Sequence, residues 1–160
     1  MNRPLHILVV DDIEPESMAA VLRFTGDGKV TTTTATTLKD AMEESGKSKF
    51  SAVLLDLNLP DAHGTEAVVK FQQEYPETPV VVISGDNDPD LVEACTRAGA
   101  QEFITKTSDP KDFEERIRHA VLRHEVRPDL KPPKAMLELK DTLEKLSVVS
   151  DQLEKRGTTT

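Results

Sequence analysis

The chain reads as an α/β protein built on a doubly wound parallel sheet, and three features point there. Ile7-Leu8-Val9-Val10, Ala52-Val53-Leu54-Leu55 and Val80-Val81-Val82-Ile83 are short aliphatic runs, each followed by a polar residue. Runs of that length without polar alternation are strands buried on both faces, as in a parallel sheet. Between them lie stretches with helical spacing and helix-start signals. The connections are short, and five such strand-helix units imply right-handed crossovers with helices covering both faces.

The first strand is expected over 6–10, followed by a helix over 15–24. The second strand, 29–35, contains Val30 and the run Thr31 to Thr34. Threonine is β-branched, so this run makes a strand with one partly solvated face, and Thr37 caps the helix at 37–46. A third strand follows at 51–56, a helix at 64–74 and a fourth strand at 79–84. Asp88-Pro89 precedes Leu91, Val92 and Cys95, and Asp109-Pro110 precedes Phe113, Ile117 and Val121. Each pair places an acid at the N-cap and Pro at the first helical position. These signals start helices over 89–98 and 110–125, with the fifth strand, 101–105, between them.

Arg127-Pro128-Asp129-Leu130-Lys131-Pro132-Pro133 interrupts this alternation, because proline stops one helix and cannot continue another. Residues 127–133 are therefore a Pro-rich linker. Beyond it Met136, Leu139, Leu143, Leu146 and Leu153 recur at three- and four-residue steps, broken by Ser150, along a helix over 134–156. Such a helix would be about 34 Å long. Two readings stay open for it: a dimerising coiled coil, or a helix docked on its own domain. Residues 157–160 read as a disordered tail.

Composition narrows the function classes. At 160 residues the chain suits one domain with a full core and a short appendage. It has no apolar stretch near the roughly 18 residues of a membrane span, and its start lacks a signal-peptide core. The protein is read as cytoplasmic. The single cysteine, Cys95, excludes an internal disulfide and sits among Leu91, Val92 and Ala98 as a small core residue. A net charge of -9 with scattered basic residues argues against direct nucleic-acid binding. Partners are expected to be proteins.

In a parallel sheet the C-terminal strand ends share one edge, and ligands bind there. That edge would gather Asp11 and Asp12, Asp56, Ser84 and Lys106, which follows Phe103-Ile104-Thr105. Carboxylates about 4.5 Å apart repel by roughly 3 to 4 kcal/mol at an effective dielectric near 20. Either one of them takes a proton or a hard divalent cation such as Mg²⁺ sits among them. A carboxylate can also attack phosphorus, provided positive charge and hydroxyl donors meet the phosphoryl oxygens. Lys106 and Ser84 would supply those donors, and Gly85 leaves room beside them. An aspartate at a strand end commonly only caps a helix. The joint arrangement of acid pair, lone acid, hydroxyl and lysine is what points to phosphoryl chemistry.

With these residues the chain resembles the receiver domain of bacterial two-component response regulators. The matching text is Ile7-Leu8-Val9-Val10-Asp11-Asp12, then Leu55-Asp56-Leu57-Asn58-Leu59-Pro60-Asp61-Ala62-His63-Gly64, then Val82-Ile83-Ser84-Gly85, then Gly99-Ala100 with Phe103-Ile104-Thr105-Lys106. The resemblance implies a CheY-like, flavodoxin-like five-stranded sheet of order 2-1-3-4-5 within a receiver domain over 1–126. It implies that Asp56 accepts a phosphoryl group from a histidine kinase or phosphotransfer protein. It also implies that Asp12, Asp56 and the backbone carbonyl of Asn58 ligate Mg²⁺, and that Asp11 acts on the metal through water. Lys106 would hold a phosphoryl oxygen, and Ser84 and Phe103 would form a switch pair. That switch reshapes the face made by the fourth helix, fifth strand and fifth helix. Asn58 and Asp86 would tune hydrolysis of the phosphoaspartate.

Two residues depart from the family. Thr107 stands where a proline usually follows the lysine, and the switch aromatic is a phenylalanine, which turns inward without burying an unpaired hydroxyl. Two other readings share the acid cluster. One is a Mg²⁺-dependent phosphatase with an aspartyl nucleophile, which wants a second acid two residues on, where Asn58 stands. The other is a receiver-like interaction module that never needs phosphate. The output is either the 134–156 helix itself, as a homodimer or partner contact, or a C-terminal output domain beyond this chain. His6 starts a strand, His63 lies in the loop after Asp56, and His119 and His124 fall on a charged helix as solvated or capping residues. Lys111, Glu114, Glu115, Arg116, Arg118 and Arg123 read as mostly a solvated helix face.

Overall fold

The computed structural model describes residues 3–109 and 111–126. The linker, the 134–156 helix and the tail lie outside the described residues. In chain order the first elements are β1 (Leu5–Val10), α1 (Pro15–Thr25), β2 (Val30–Ala35), α2 (Leu38–Lys47) and β3 (Ala52–Asp56). A small hairpin follows, β4 (Asn58–Leu59) and β5 (Ala62–His63), then α3 (Thr65–Glu74) and β6 (Val80–Ser84). The last are α4 (Pro89–Ala98), β7 (Glu102–Thr105) and α5 (Lys111–Val126).

Five strands form one parallel sheet in the order β2-β1-β3-β6-β7, which is the 2-1-3-4-5 order expected. Successive side chains of a strand point to opposite faces, and the aliphatic runs use both. Leu8, Val10, Val53, Leu55, Val80 and Val82 pack with Leu38, Ala41, Phe71 and Cys95 from α2, α3 and α4. Ile7, Val9, Leu54, Val81, Ile83 and Ile104 pack with Ala19, Leu22, Phe113 and Ile117 from α1 and α5. Fully burying such a side chain stabilises by about 1.5 to 3 kcal/mol, so the two clusters hold the strand ends in register. The threonine strand β2 lies at the sheet edge with Thr31 to Thr34 only partly covered, as its composition predicts.

Helix starts follow the sequence signals. Thr37 accepts the N–H of Asp40 at 3.0 Å, and Asp88 accepts that of Asp90 at 2.9 Å. Asp109 accepts the N–H of Lys111 at 3.0 Å. Gly99 ends α4 at φ 114, a left-handed conformation that glycine adopts without a Cβ clash.

Two expectations need correction. The segment after Asp56, read as a loop containing His63, holds the β4/β5 hairpin around Pro60 and Asp61. Two-residue strands are too short to leave a period in the sequence. His124 is 2% exposed, not solvated. Its spacing from Ile117 and Val121 sets it on the buried stripe of α5, which a search for apolar residues alone misses. The charged face of α5 keeps its contact with solvent, none of its six residues being buried, and its arginines are engaged besides. Arg116 donates to Glu102 and to the Phe103 carbonyl, Arg123 to Glu102 and the Gln101 carbonyl, and Arg118 to Glu114 and the Arg3 carbonyl.

Candidate functional site

The site is assembled by strand ends. Val10 pairs with Leu55, Asp56 with Ile83 and Ser84 with Thr105, so the residues that follow these pairs share one edge. The ladder runs a step past the strands: Asp11 N–H donates to the Ala35 carbonyl at 3.1 Å, and Lys106 N–H to the Ser84 carbonyl at 2.8 Å. Carboxylate oxygens of Asp11, Asp12 and Asp56 consequently lie within 4.8 Å of one another. Asp11 and Asp56 are buried, and Asp12 is exposed at the rim.

Lys106 reaches into the cluster. Its Nζ is 3.2 Å from Asp11 Oδ2 and 3.2 Å from Asp56 Oδ2. Burial pushes the Asp56 carboxyl above the ordinary carboxylate range; the Asn58 N–H and Lys106 offset part of that, and the Asp11 charge adds to it. Asp11 meets the same desolvation, but the Ile13 N–H and Lys106 outweigh it and hold its carboxyl below the usual value. Burial works against the Lys106 ammonium, yet Asp56 and Asp11 together raise it above the ordinary lysine value. Three carboxylates face one ammonium, so the site carries more negative charge than its own lysine offsets. A donor set of carboxylate oxygens only, this close together, is the chemistry that a hard cation such as Mg²⁺ takes. The residues present fit that ion.

The remaining expected residues fall around this core. Asn58 N–H donates to Asp56 Oδ1 at 3.1 Å, and Asn58 opens the hairpin. Ser84 is buried, and its Oγ accepts the Asp86 N–H at 3.1 Å. Apart from its own chain neighbours, no heavy atom lies within 4 Å of the place a Cβ would take at Gly85, so the crevice stays open there. Phe103 sits opposite Val82, two pairs below Ser84, and packs half-buried on the α2-α3-α4 side. With Thr107 following it, Lys106 still reaches both carboxylates.

Sequence reasoning missed Asp61. From the hairpin its carboxylate accepts the N–H groups of Leu38 and Lys39, each at 2.9 Å, at the start of α2. Slight burial opposes its charge, but those two N–H groups hold the carboxyl below the usual range. Pro60-Asp61 signals a turn in the sequence, yet nothing local announces a partner more than twenty residues away. Cys95 is fully buried, and burial pushes its thiol up, as a core role requires.

Among the described residues no helix is long and apolar enough to cross a membrane. Residues 7–118 match the family described as the response regulator receiver domain. The chain is 35% identical over 102 residues to the response regulator protein PilR of Pseudomonas aeruginosa, covering 64% of this chain and 23% of that protein. It thus spans less than a quarter of that relative's length. Among solved structures it is similar to a CheY-like receiver domain protein from Methanospirillum hungatei, with 27% identity and a TM-score of 0.67. That match covers 76% of this chain and 97% of the other. The beryllofluoride-activated NtrC4 receiver domain dimer is 29% identical with a TM-score of 0.66, covering 78% of this chain and 99% of that one.

Proposed function

The chain belongs to the response regulator receiver domain family, and on that premise we propose that it accepts a phosphoryl group on Asp56 from a histidine kinase or phosphotransfer protein. The observation that carries this reading is the ammonium of Lys106 set 3.2 Å from both Asp11 and Asp56, at the mouth of an acidic crevice. A carboxylate oxygen of Asp56 attacks phosphorus and forms the acyl phosphate. The P–N bond to the donor imidazole breaks, and its electron pair leaves on that nitrogen. Asp11, Asp12, Asp56 and the carbonyl of Asn58 would hold Mg²⁺, which when bound supplies positive charge against the phosphoryl oxygens.

The chain's own groups do the rest. Lys106 exchanges its carboxylate partner for a phosphoryl oxygen, a charge-assisted bond of comparable kind. Ser84 gives up the Asp86 N–H and donates its hydroxyl to another phosphoryl oxygen, with room left by Gly85. Phe103 turns inward into the space so released, and the face of α4, β7 and α5 changes shape. Asn58 and Asp86 flank the approach of water and set the lifetime of the acyl phosphate.

In this reading residues 1–126 are the receiver, 127–133 a linker, 134–156 a helical stalk and 157–160 a tail. The stalk pairs two chains or leads to an output domain; separately, a dimeric receiver domain among the similar structures supports pairing through the receiver itself. The deciding experiment treats the chain and Asp56→Asn with phosphoramidate and Mg²⁺ and reads phosphoryl groups per chain by intact mass. One group on the wild type and none on the variant is expected. Stoichiometric labelling of Asp56→Asn sinks the assignment.

A further inference from the structure

The four-carbon stem of a lysine is flexible and does not by itself fix the ammonium, so any aiming of Lys106 must come from the backbone that sets its Cα–Cβ direction. Lys106 leaves the end of β7 with its N–H on the Ser84 carbonyl, and then the chain turns. Lys106 and Thr107, both exposed, are the middle of that turn, which the Ser108 N–H closes on the Thr105 carbonyl at 3.0 Å. A second closure lies beside the first. Thr105 Oγ1 is 2.6 Å from Ser108 Oγ, at the short end of the range for hydroxyl pairs, and both residues are half-buried. Thr107 Oγ1 lies 3.4 Å from Thr105 Oγ1, and in the shorter contact either Thr105 or Ser108 can donate. Past the turn, Asp109 accepts the N–H groups of Lys111 and Asp112 and ties the chain to α5.

One backbone bond at a loop is worth about 1 kcal/mol, and Thr107 has no ring to restrict its φ. A turn closed by that bond alone would let the Lys106 Cα–Cβ direction swing. With the hydroxyl bond in place, the middle residues cannot rotate without breaking two closures at once. We infer that the Thr105–Ser108 hydroxyl bond aims Lys106 at the crevice, making Thr105 and Ser108 positioning residues for phosphoryl transfer. The inference rests on the phosphoacceptor reading above and adds to it two residues that touch neither carboxylate.

The test measures phosphorylation of the full 160-residue chain by phosphoramidate with Mg²⁺, over a range of donor concentrations. Ser108→Ala and Thr105→Val should each lower the maximal rate about tenfold and leave the half-saturating donor concentration unchanged, as misaimed groups do. The double variant should be no slower than either single, and Ser108→Thr should return to within about twofold of wild type. In a Lys106→Ala background, Ser108→Ala should change nothing. A wild-type rate for Ser108→Ala beside a slow Lys106→Ala overturns the inference. So does a tenfold loss that persists without Lys106, since that loss would be a general loosening of the loop. A wild-type chain that takes up no phosphoryl group removes the phosphoacceptor reading itself, and this inference with it.

Discussion

Lys106 and Asp56, fifty positions apart in sequence, face each other across the crevice with Nζ 3.2 Å from Oδ2. The same ammonium reaches Asp11, so a single cation holds two buried carboxylates in place. Removing it leaves three carboxylates together. Lys106 is about one-third exposed, and solvent screening reduces the cost from that of a fully buried pair. Lys106→Ala should lose about 1 to 2 kcal/mol of stability in urea without divalent ions, and Mg²⁺ should restore most of it. Equal stability of the two proteins without Mg²⁺ counts against this account.

Asp56 behaves in the opposite sense. Its carboxyl is raised in the folded chain, so the folded state binds its proton more tightly than the unfolded one, and ionisation costs stability as pH climbs past 3.8. Asp56→Asn should therefore be more stable than wild type at pH 7 without Mg²⁺, by about 1 kcal/mol. The gap should narrow when Mg²⁺ is added. Thermal melts with and without the ion decide it, and a variant less stable than wild type in both rules the idea out.

Glu102 joins β7 to α5 through Arg116 at 2.8 Å and Arg123 at 3.2 Å, and within β7 it accepts the Phe103 N–H at 3.1 Å. Burial opposes its charge, but these donors hold its carboxyl below the ordinary 4.5. A depressed carboxyl contributes stability that is fully present above 4.5 and is lost as pH falls through the lower folded value. Glu102→Gln should cost about 1 kcal/mol near neutral pH, with the difference vanishing on acidification. Urea titrations from pH 7 to about pH 3 read the difference, and a constant offset over that range contradicts it.

Asp61 is the cap that α2 receives from outside itself. With Thr37 taking the Asp40 N–H, it leaves the first-turn donors Leu38, Lys39 and Asp40 all satisfied. Asp61→Ala should destabilise by about 1 kcal/mol and speed amide exchange at Leu38 and Lys39 ahead of the rest of α2. Unchanged exchange at those two amides would falsify the capping role.

The order of strands and helices, the parallel sheet and the acidic edge follow from the sequence alone. Their causes are local: aliphatic runs such as Val80 to Ile83, start signals such as Asp88-Pro89, and the chain position of each acid at a strand end. Expected boundaries fall within a residue or so of those observed, because burial on two faces leaves a strand no freedom to slide. The family resemblance named Asp56, Lys106 and Ser84 for the same reason, since each sits at a fixed offset from an apolar run.

What the tertiary structure decided is everything that rests on a partner distant in the chain. His124 is buried because α5 turns it inward with Ile117 and Val121, and histidine carries no periodic apolar signal. Arg116 and Arg123 look like solvent-facing charges until β7 brings Glu102 to them. Asp61 finds the start of α2 twenty-three residues back, and Lys106 finds Asp11 ninety-five residues back. Residue type and spacing specify which groups reach the sheet edge. Which of them touch, and therefore which way each carboxyl is pushed, depends on side-chain packing that exists only once the sheet and its helices have closed around them.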